Sequence, residues 1–225
     1  WFGFGHFISL FYWISVALFV EISKFFWLLP FSLLVIPALT AIFVGLTALS
    51  ANFLRYKLKA NRIFHLFLLS FFWVFFELIR SSEPIFGGFA LGLLGYIWGF
   101  SLYISQMAAF IGIYGLSFLA LFLCGFLGFL FEANSRQKIM IILIIFLLSI
   151  LTMGVFGWQR LRNIDNFSTK NINIRLVQPN IDQSKKQNFA SLKEIFLENI
   201  KLSKKDDLDK IDLLVWSESA VPFFL

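Results

Sequence analysis

A single cysteine in 225 residues, Cys124, excludes an internal disulfide framework, a thiolate zinc cluster and any two-cysteine redox motif. There are only two histidines, His6 and His65, each alone in an apolar run with no partner at ligand spacing, so both read as packed or interfacial side chains rather than metal ligands. No phosphate-cradling glycine loop, dinucleotide fingerprint or internal repeat occurs, and no cofactor is expected. Charge is scarce, at 14% of residues, and unevenly spread: 12 of the 32 charged residues lie in 1–158 and 20 in 159–225. Apolar residues take the place of charge, with 59% hydrophobic residues, 20% aromatic and 32 phenylalanines. A soluble domain holds roughly 45–50% apolar residues. The composition is that of a membrane protein joined near Trp158 to a more polar segment. The net charge of +6 is then read as cations that anchor loops, not as a nucleic-acid surface.

A spanning helix needs about 20 mostly apolar residues. Five such runs are expected, at 1–20, 25–51, 63–79, 107–131 and 139–158, each bounded by charged or polar residues. The first has no charged n-region and no small-residue cleavage site, so it reads as a span and not a signal peptide. The chain opens at Trp1 and stops at Leu225 inside an apolar run, and a fragment truncated at both ends is expected. Pro30 and Pro37 fall in the second span, where they can bend a helix without abolishing it. Residues 84–104 are apolar but glycine-rich and read as an ordered loop or re-entrant arm, with a sixth span as the lesser possibility. The Gly88/Gly92 and Gly95/Gly99 spacings could mark close packing.

Short loops give the orientation. Residues 52–62 hold Arg55, Lys57, Lys59 and Arg62 with no acid, and 132–138 hold Arg136 and Lys138 beside Glu132, so both loops are expected on the cytoplasmic side. Five spans then place everything after 158 outside, which in a bacterial inner membrane is the periplasm. Two domains are expected: a transmembrane bundle over 1–158 and the start of a soluble domain over 159–225.

In the soluble part, Asn173–Val177 alternates polar and apolar residues as a strand does. Phe189, Leu192, Ile195, Phe196, Ile200 and Leu202 recur near a period of 3.6, as on one face of a helix. Ile211–Trp216 reads as a second strand. Strand, helix and strand begin an α/β layer, and Glu218 falls just past the second strand, where α/β folds commonly place catalytic groups. In the membrane part, Glu77 and Arg80 stand three apart on one helix face. Ionisable residues at membrane depth are functional candidates by default. A structural ion pair and contact with a lipid head group are both open for this pair.

Several segments, in order, resemble apolipoprotein N-acyltransferases, bacterial inner-membrane enzymes that add the third acyl chain to lipoproteins. Trp1-Phe2-Gly3-Phe4-Gly5 is similar to the family's third span, Glu77-Leu78-Ile79-Arg80 to its Glu-x-x-Arg, and Gly95-Tyr96 to the end of its periplasmic arm. Gln106-x-Ala108 with Gly112, Gly115 and Phe118 resembles the opening of the next span. Val177-Gln178-x-Asn180-Ile181-x-Gln183 resembles the first nitrilase-like strand and its turn, and Trp216-Ser217-Glu218-Ser219-Ala220-Val221-Pro222 the signature Trp-Pro-Glu-Ser/Thr-Ala-x-Pro. Three places depart from the pattern: Gly88-Phe89-Ala90-Leu91 stands for Gly-Phe-Pro-Trp, Ser217 for proline, and Gln187, after Lys186, for tryptophan.

The resemblance implies a polytopic helical bundle followed by the start of an αββα nitrilase-like domain, since the family has seven spans before that domain and one after. It implies acyl transfer from a phospholipid to the N-terminal S-diacylglyceryl cysteine of an apolipoprotein, by a monomer with no cofactor. Glu218 would be the general base of a Glu-Lys-Cys triad whose lysine and cysteine lie beyond Leu225, and Glu77 and Arg80 are carried as substrate-binding candidates. Cys124, deep in a span, is expected to be a packing residue and not a substitute nucleophile, so the 225-residue chain is expected to be inactive alone. Two other readings remain: a non-enzymatic transporter or scaffold with a soluble tail, and another membrane-tethered nitrilase-like amidase.

Overall fold

The computed structural model describes residues 1–82, 88, 90–162, 171–181, 191–205, 207–217 and 220. The chain divides into two compact units, Trp1–Ile164 and Asp165–Leu225.

The first unit contains five apolar helical stretches long enough to cross a bilayer, Phe2–Phe19, Ile22–Leu58, Arg62–Ser81, Ala108–Glu132 and Arg136–Arg162. These are the five expected runs, extended at most ends by the polar residues that flank them. The chain is a multi-pass membrane protein. Its helices are α1 (Phe2–Phe11), the short α2 (Ile22–Phe25), α3 (Ile36–Leu58), α4 (Arg62–Ser81), the short α5 (Leu102–Ser105), α6 (Ala108–Leu127) and α7 (Arg136–Arg162). Between α1 and α3 the backbone departs from ideal α geometry, through 3-10 turns over Tyr12–Glu21 and Phe26–Leu28 and a π-helical turn over Phe31–Val35. That last turn follows Pro30, whose missing N–H and ring prevent regular hydrogen bonding through it. Pro37, in the first turn of α3, sits where its missing donor is not needed.

The bundle buries an apolar core together with several of its few polar side chains and leaves its outer face apolar, as suits a lipid solvent. On α4, Phe64, Phe67, Phe71, Phe75 and Leu78 form an exposed stripe, while Ser70, Glu77 and Arg80 are buried. Elsewhere Thr40, Thr47 and Ser117 are buried as well. Thr40, Thr47 and Ser70 donate back to carbonyls one turn earlier, at 2.9 Å each to Ile36, Phe43 and Leu66. Such hydroxyls let helices approach closely without leaving a polar atom in hydrocarbon unsatisfied. The helix α4 starts at Asn61, whose side chain accepts from the Phe64 N–H at 2.8 Å. Helix α3 packs against α1 and α4, α4 against α6, and α7 against α5 and α6. Around α6 the core consists of Trp98, Ile104, Leu116, Ala120, Leu123 and Met153.

Two contacts show which connections share a side of the bundle. Arg62 pairs with Glu132, bringing the two basic loops together. At the opposite end Arg160 Nε donates to Gln106 Oε1 at 3.2 Å, joining the end of α7 to the start of α6. The glycine-rich stretch is not a sixth span among the described residues. It carries a 3-10 turn over Leu94–Phe100 and then α5.

Glycine matters at particular positions rather than in a repeating pattern. Gly112 breaks α6 with φ +68°, a conformation L side chains rarely adopt. Gly157 of α7 lies against the Tyr103 carbonyl, where a Cβ would collide with backbone, so no side-chain rotation could relieve the clash. Gly157→Val is expected to cost about 1–3 kcal/mol or more through overpacking. The check is the thermal unfolding midpoint of the detergent-solubilised protein, with Gly154→Val, where no atom stands within 4 Å of the added Cβ, as the tolerated control.

The second unit is small: β1 (Ile174–Val177), α8 (Leu192–Ser203), a 3-10 turn over Leu208–Lys210, and β2 (Leu213–Trp216). The strands are parallel, with Ile174 opposite Leu213 and Val177 opposite Trp216. Strand, helix and strand therefore stand close to where the sequence pattern puts them.

Candidate functional site

Glu77 and Arg80 lie at the end of α4, and the structure brings them together on one object. Arg80 is 2% exposed and Glu77 5% exposed. The Arg80 guanidinium donates from Nη1 to the Leu91 carbonyl at 2.7 Å and from Nη2 to the Gly92 carbonyl at 3.4 Å. Its Cζ stands 5.5 Å from the centre of the Phe7 ring of α1. Glu77 Oε1 accepts from the Leu94 N–H at 2.7 Å and from Trp73 Nε1 at 3.0 Å. Both side chains thus hold the 91–94 turn of the arm. The arm is tied to α6 as well, with the Gly95 N–H donating to Ser117 Oγ at 2.7 Å and Trp98 Nε1 to the Leu116 carbonyl at 3.0 Å, while the Ser81 and Tyr114 hydroxyls join α4 to α6 at 2.6 Å.

Of the four described arm glycines, two would meet a neighbour if given a side chain. A Cβ on Gly92 would strike Leu10, and one on Gly95 would strike the Ile113 carbonyl, whereas Gly88 and Gly99 have open space. The expectation of two packing pairs therefore reduces to one residue from each, because the arm is not a continuous helix and alternate turns do not face the same neighbour. Between the arm and α1 lies a cavity of about 390 Å³, with His6, Leu10, Phe11 and Trp13 on one wall and Leu91–Leu94, Tyr96 and Ile97 on the other. His6 lies among rings, edge-on to Phe7 at 5.0 Å and to Trp73 at 6.2 Å.

Trp73, Ser117 and Tyr114 were not singled out from the sequence. Trp73 and Glu77 are four apart on one helix face, a spacing that does reveal such a pair. Ser117 carries no such signal, since a lone serine in an apolar helix more often bonds back to its own backbone.

Cys124 departs from expectation. It is exposed on the outer face of α6 and does not pack inside the bundle. A free cysteine behaves as a small apolar side chain, which a lipid-facing position accommodates as well as a core does.

In the second unit, Trp216 ends β2 with its ring edge-on to Phe196, centroids 5.8 Å apart, and its Nε1 donating to Ser203 Oγ at 2.8 Å. Ser203 Oγ donates to the Asn199 carbonyl at 2.7 Å, and Asn199, fully buried, donates from Nδ2 to the Ile195 carbonyl at 3.1 Å. Arg175 of β1 donates from Nη1 to the carbonyls of Ser203 and Lys205, at 2.9 and 2.7 Å. The end of β2 is thereby fixed to α8. Glu218 follows two residues later and lies outside the described residues, as do Gln183, Lys186 and Gln187. No group of three or more histidine, cysteine, aspartate or glutamate side chains able to hold a metal occurs among the described residues.

Residues 1–127 match the family model of the apolipoprotein N-acyltransferase N-terminal domain. The chain belongs to the apolipoprotein N-acyltransferase family. Over 224 residues it is 37% identical to the apolipoprotein N-acyltransferase of Rickettsia bellii, covering 98% of this chain and 42% of that protein. It is 30% identical to the enzyme of that name from Rhodopseudomonas palustris, covering all of this chain and 42% of the relative. The chain spans about 42% of the length of these relatives. No solved structure matches it. The family match covers the whole arm and the Glu77–Arg80 cluster, and the pairwise matches extend through the second unit.

Proposed function

We propose that this sequence is part of a phospholipid:apolipoprotein N-acyltransferase of a bacterial inner membrane, and that Glu218 is its general base. The observation that carries the reading is the way Trp216 is held: the run Trp216–Pro222, which resembles the family's glutamate signature, leaves the carboxyl end of a parallel strand fixed by a buried network. That is where an α/β fold places reacting groups. The second unit also supports a nitrilase-like sandwich. Ile174, Leu176, Leu213 and Val215, on the sheet face opposite Arg175 and Trp216, are apolar and exposed. Parallel sheets are normally covered on both faces, so this face is of the kind that a further layer buries.

The chemistry requires a thiolate, which a free thiol with a pKa near 8.5 supplies poorly at neutral pH. A positioned carboxylate takes the thiol proton, the sulfur attacks the phospholipid's acyl ester carbonyl, and the lysophospholipid leaves as its alcohol once protonated. The resulting thioester is cleaved by the α-amine of the lipoprotein's cysteine, which gives the amide and regenerates the thiol. The lysine of the triad helps to hold the oxyanion. A periplasmic second unit is supported by the positive-inside rule applied to the two basic loops, and the Arg62–Glu132 contact supports their sharing a side.

The test uses the full-length protein with an acyl-labelled phospholipid and a diacylglyceryl lipopeptide. Ping-pong kinetics are expected, with lysophospholipid released before the lipopeptide is added. Ammonia release from an amide without acyl transfer would favour the amidase reading, and absence of either reaction the transporter reading.

A further inference from the structure

We propose that Glu77 and Arg80 are positioning residues: they latch the 91–94 turn onto α4 and thereby fix the arm-side wall of the apolar cavity beside α1, in which an acyl chain of the donor phospholipid is held. The choice of ligand rests on the acyltransferase reading; the latch does not.

The geometry argues for a latch over direct contact with a head group. A guanidinium that is 2% exposed and bonded to two carbonyls of the turn would have to give up the turn to bind a phosphate. Glu77 grips the same turn from the donor side, through the Leu94 N–H, so acid and base hold opposite polarities of one short piece of backbone. Hydrogen bonds to charged groups are roughly twice as strong as neutral ones and stronger still away from water. The turn needs this help, because Gly92 at φ +67° leaves carbonyls 91 and 92 without helical partners of their own. Trp73 and Phe7 complete the fixture by orienting the carboxylate and flooring the guanidinium. The turn in turn supplies Leu91, Gly92, Leu93 and Leu94 to the cavity wall. The cavity faces an apolar wall of α1, with room of about 390 Å³ and few polar atoms to satisfy a head group. A hydrocarbon chain is the ligand such a lining favours.

Full-length enzyme carrying Arg80→Ala, Arg80→Lys, Glu77→Ala or Glu77→Gln is compared with wild type by hydrogen–deuterium exchange and by steady-state kinetics. Both alanine variants are expected to raise amide exchange across 91–98 by roughly tenfold or more while leaving the α6 core over 116–123 protected. The KM for phospholipid is expected to rise about tenfold with kcat within about twofold, the signature of lost binding without lost chemistry. Lysine, which keeps the charge but not the fork, should give intermediate exchange, and Glu77→Gln, which keeps an acceptor, should stay nearest to wild type. Unchanged exchange over 91–98 in Arg80→Ala overturns the latch. Raised exchange with unchanged KM, or a fall in kcat alone, overturns the positioning role. General loss of protection, including 116–123, would report misfolding of the alanine variants, and the lysine and glutamine variants then decide. Wild type without acyl transfer but with the exchange response would discard the acyltransferase reading and the acyl-chain assignment, and leave the latch standing.

Discussion

Glu218→Gln in the full-length enzyme is expected to slow thioester formation by about 10²–10⁴-fold, the usual contribution of a positioned general base. Glutamine is nearly isosteric and can still accept a hydrogen bond, so the change removes the proton acceptor and little else. The defect should also depend on pH in a definite sense. With the carboxylate present, sulfur is activated at neutral pH; without it, the rate follows the small fraction of thiolate that solvent produces. That fraction grows as pH approaches about 8.5, so the mutant's shortfall should narrow as pH rises. Single-turnover release of lysophospholipid, followed across that range, reads both effects. A mutant within twofold of wild type at neutral pH would remove Glu218 from the base role, and a defect of constant size at every pH would point to a structural part for the residue.

The spans were legible because each is a run of about 20 apolar residues closed by charge, and the polar flanks of 52–62 and 132–138 marked the same loops that Arg62 and Glu132 tie together. The strand–helix–strand order was legible for a similar reason: the periods of two and 3.6 are both clean over 173–216. The irregular backbone of 12–35 was harder to anticipate. Proline announces a bend, but whether the chain answers with 3-10 or π geometry depends on neighbours that the local sequence does not specify. At the site, spacing alone put Glu77 and Arg80 on one face and suggested that they serve each other or a ligand. What it could not show is that two backbone carbonyls and an N–H from residues 91–94, more than ten positions away, would claim them. Backbone acceptors leave no mark in a sequence, and so a latch of charged side chains on a glycine turn looks the same on paper as an ion pair.

The 225-residue chain alone, reconstituted with phospholipid, is expected to form no thioester, because its only thiol is Cys124. An attacking sulfur needs a base within hydrogen-bond reach. The residues one turn away are Ala120, Leu121 and Leu127 of α6 and Gly128 at its end, none of whose side chains can take a proton, and the sulfur stands on the outer face of the helix. It lies 12 residues past the break at Gly112, about 18 Å along the helix at 1.5 Å per residue. Intact-mass measurement after incubation should show the unmodified chain, and Cys124→Ala in the full-length enzyme should leave acyl transfer within about twofold of wild type, since a small side chain exposed on the outer face of α6 takes no part in the bundle's core. An acyl adduct on Cys124 that turns over when lipopeptide is added would overturn both expectations at once, moving the nucleophile into the membrane and leaving Glu218 without a role in its activation.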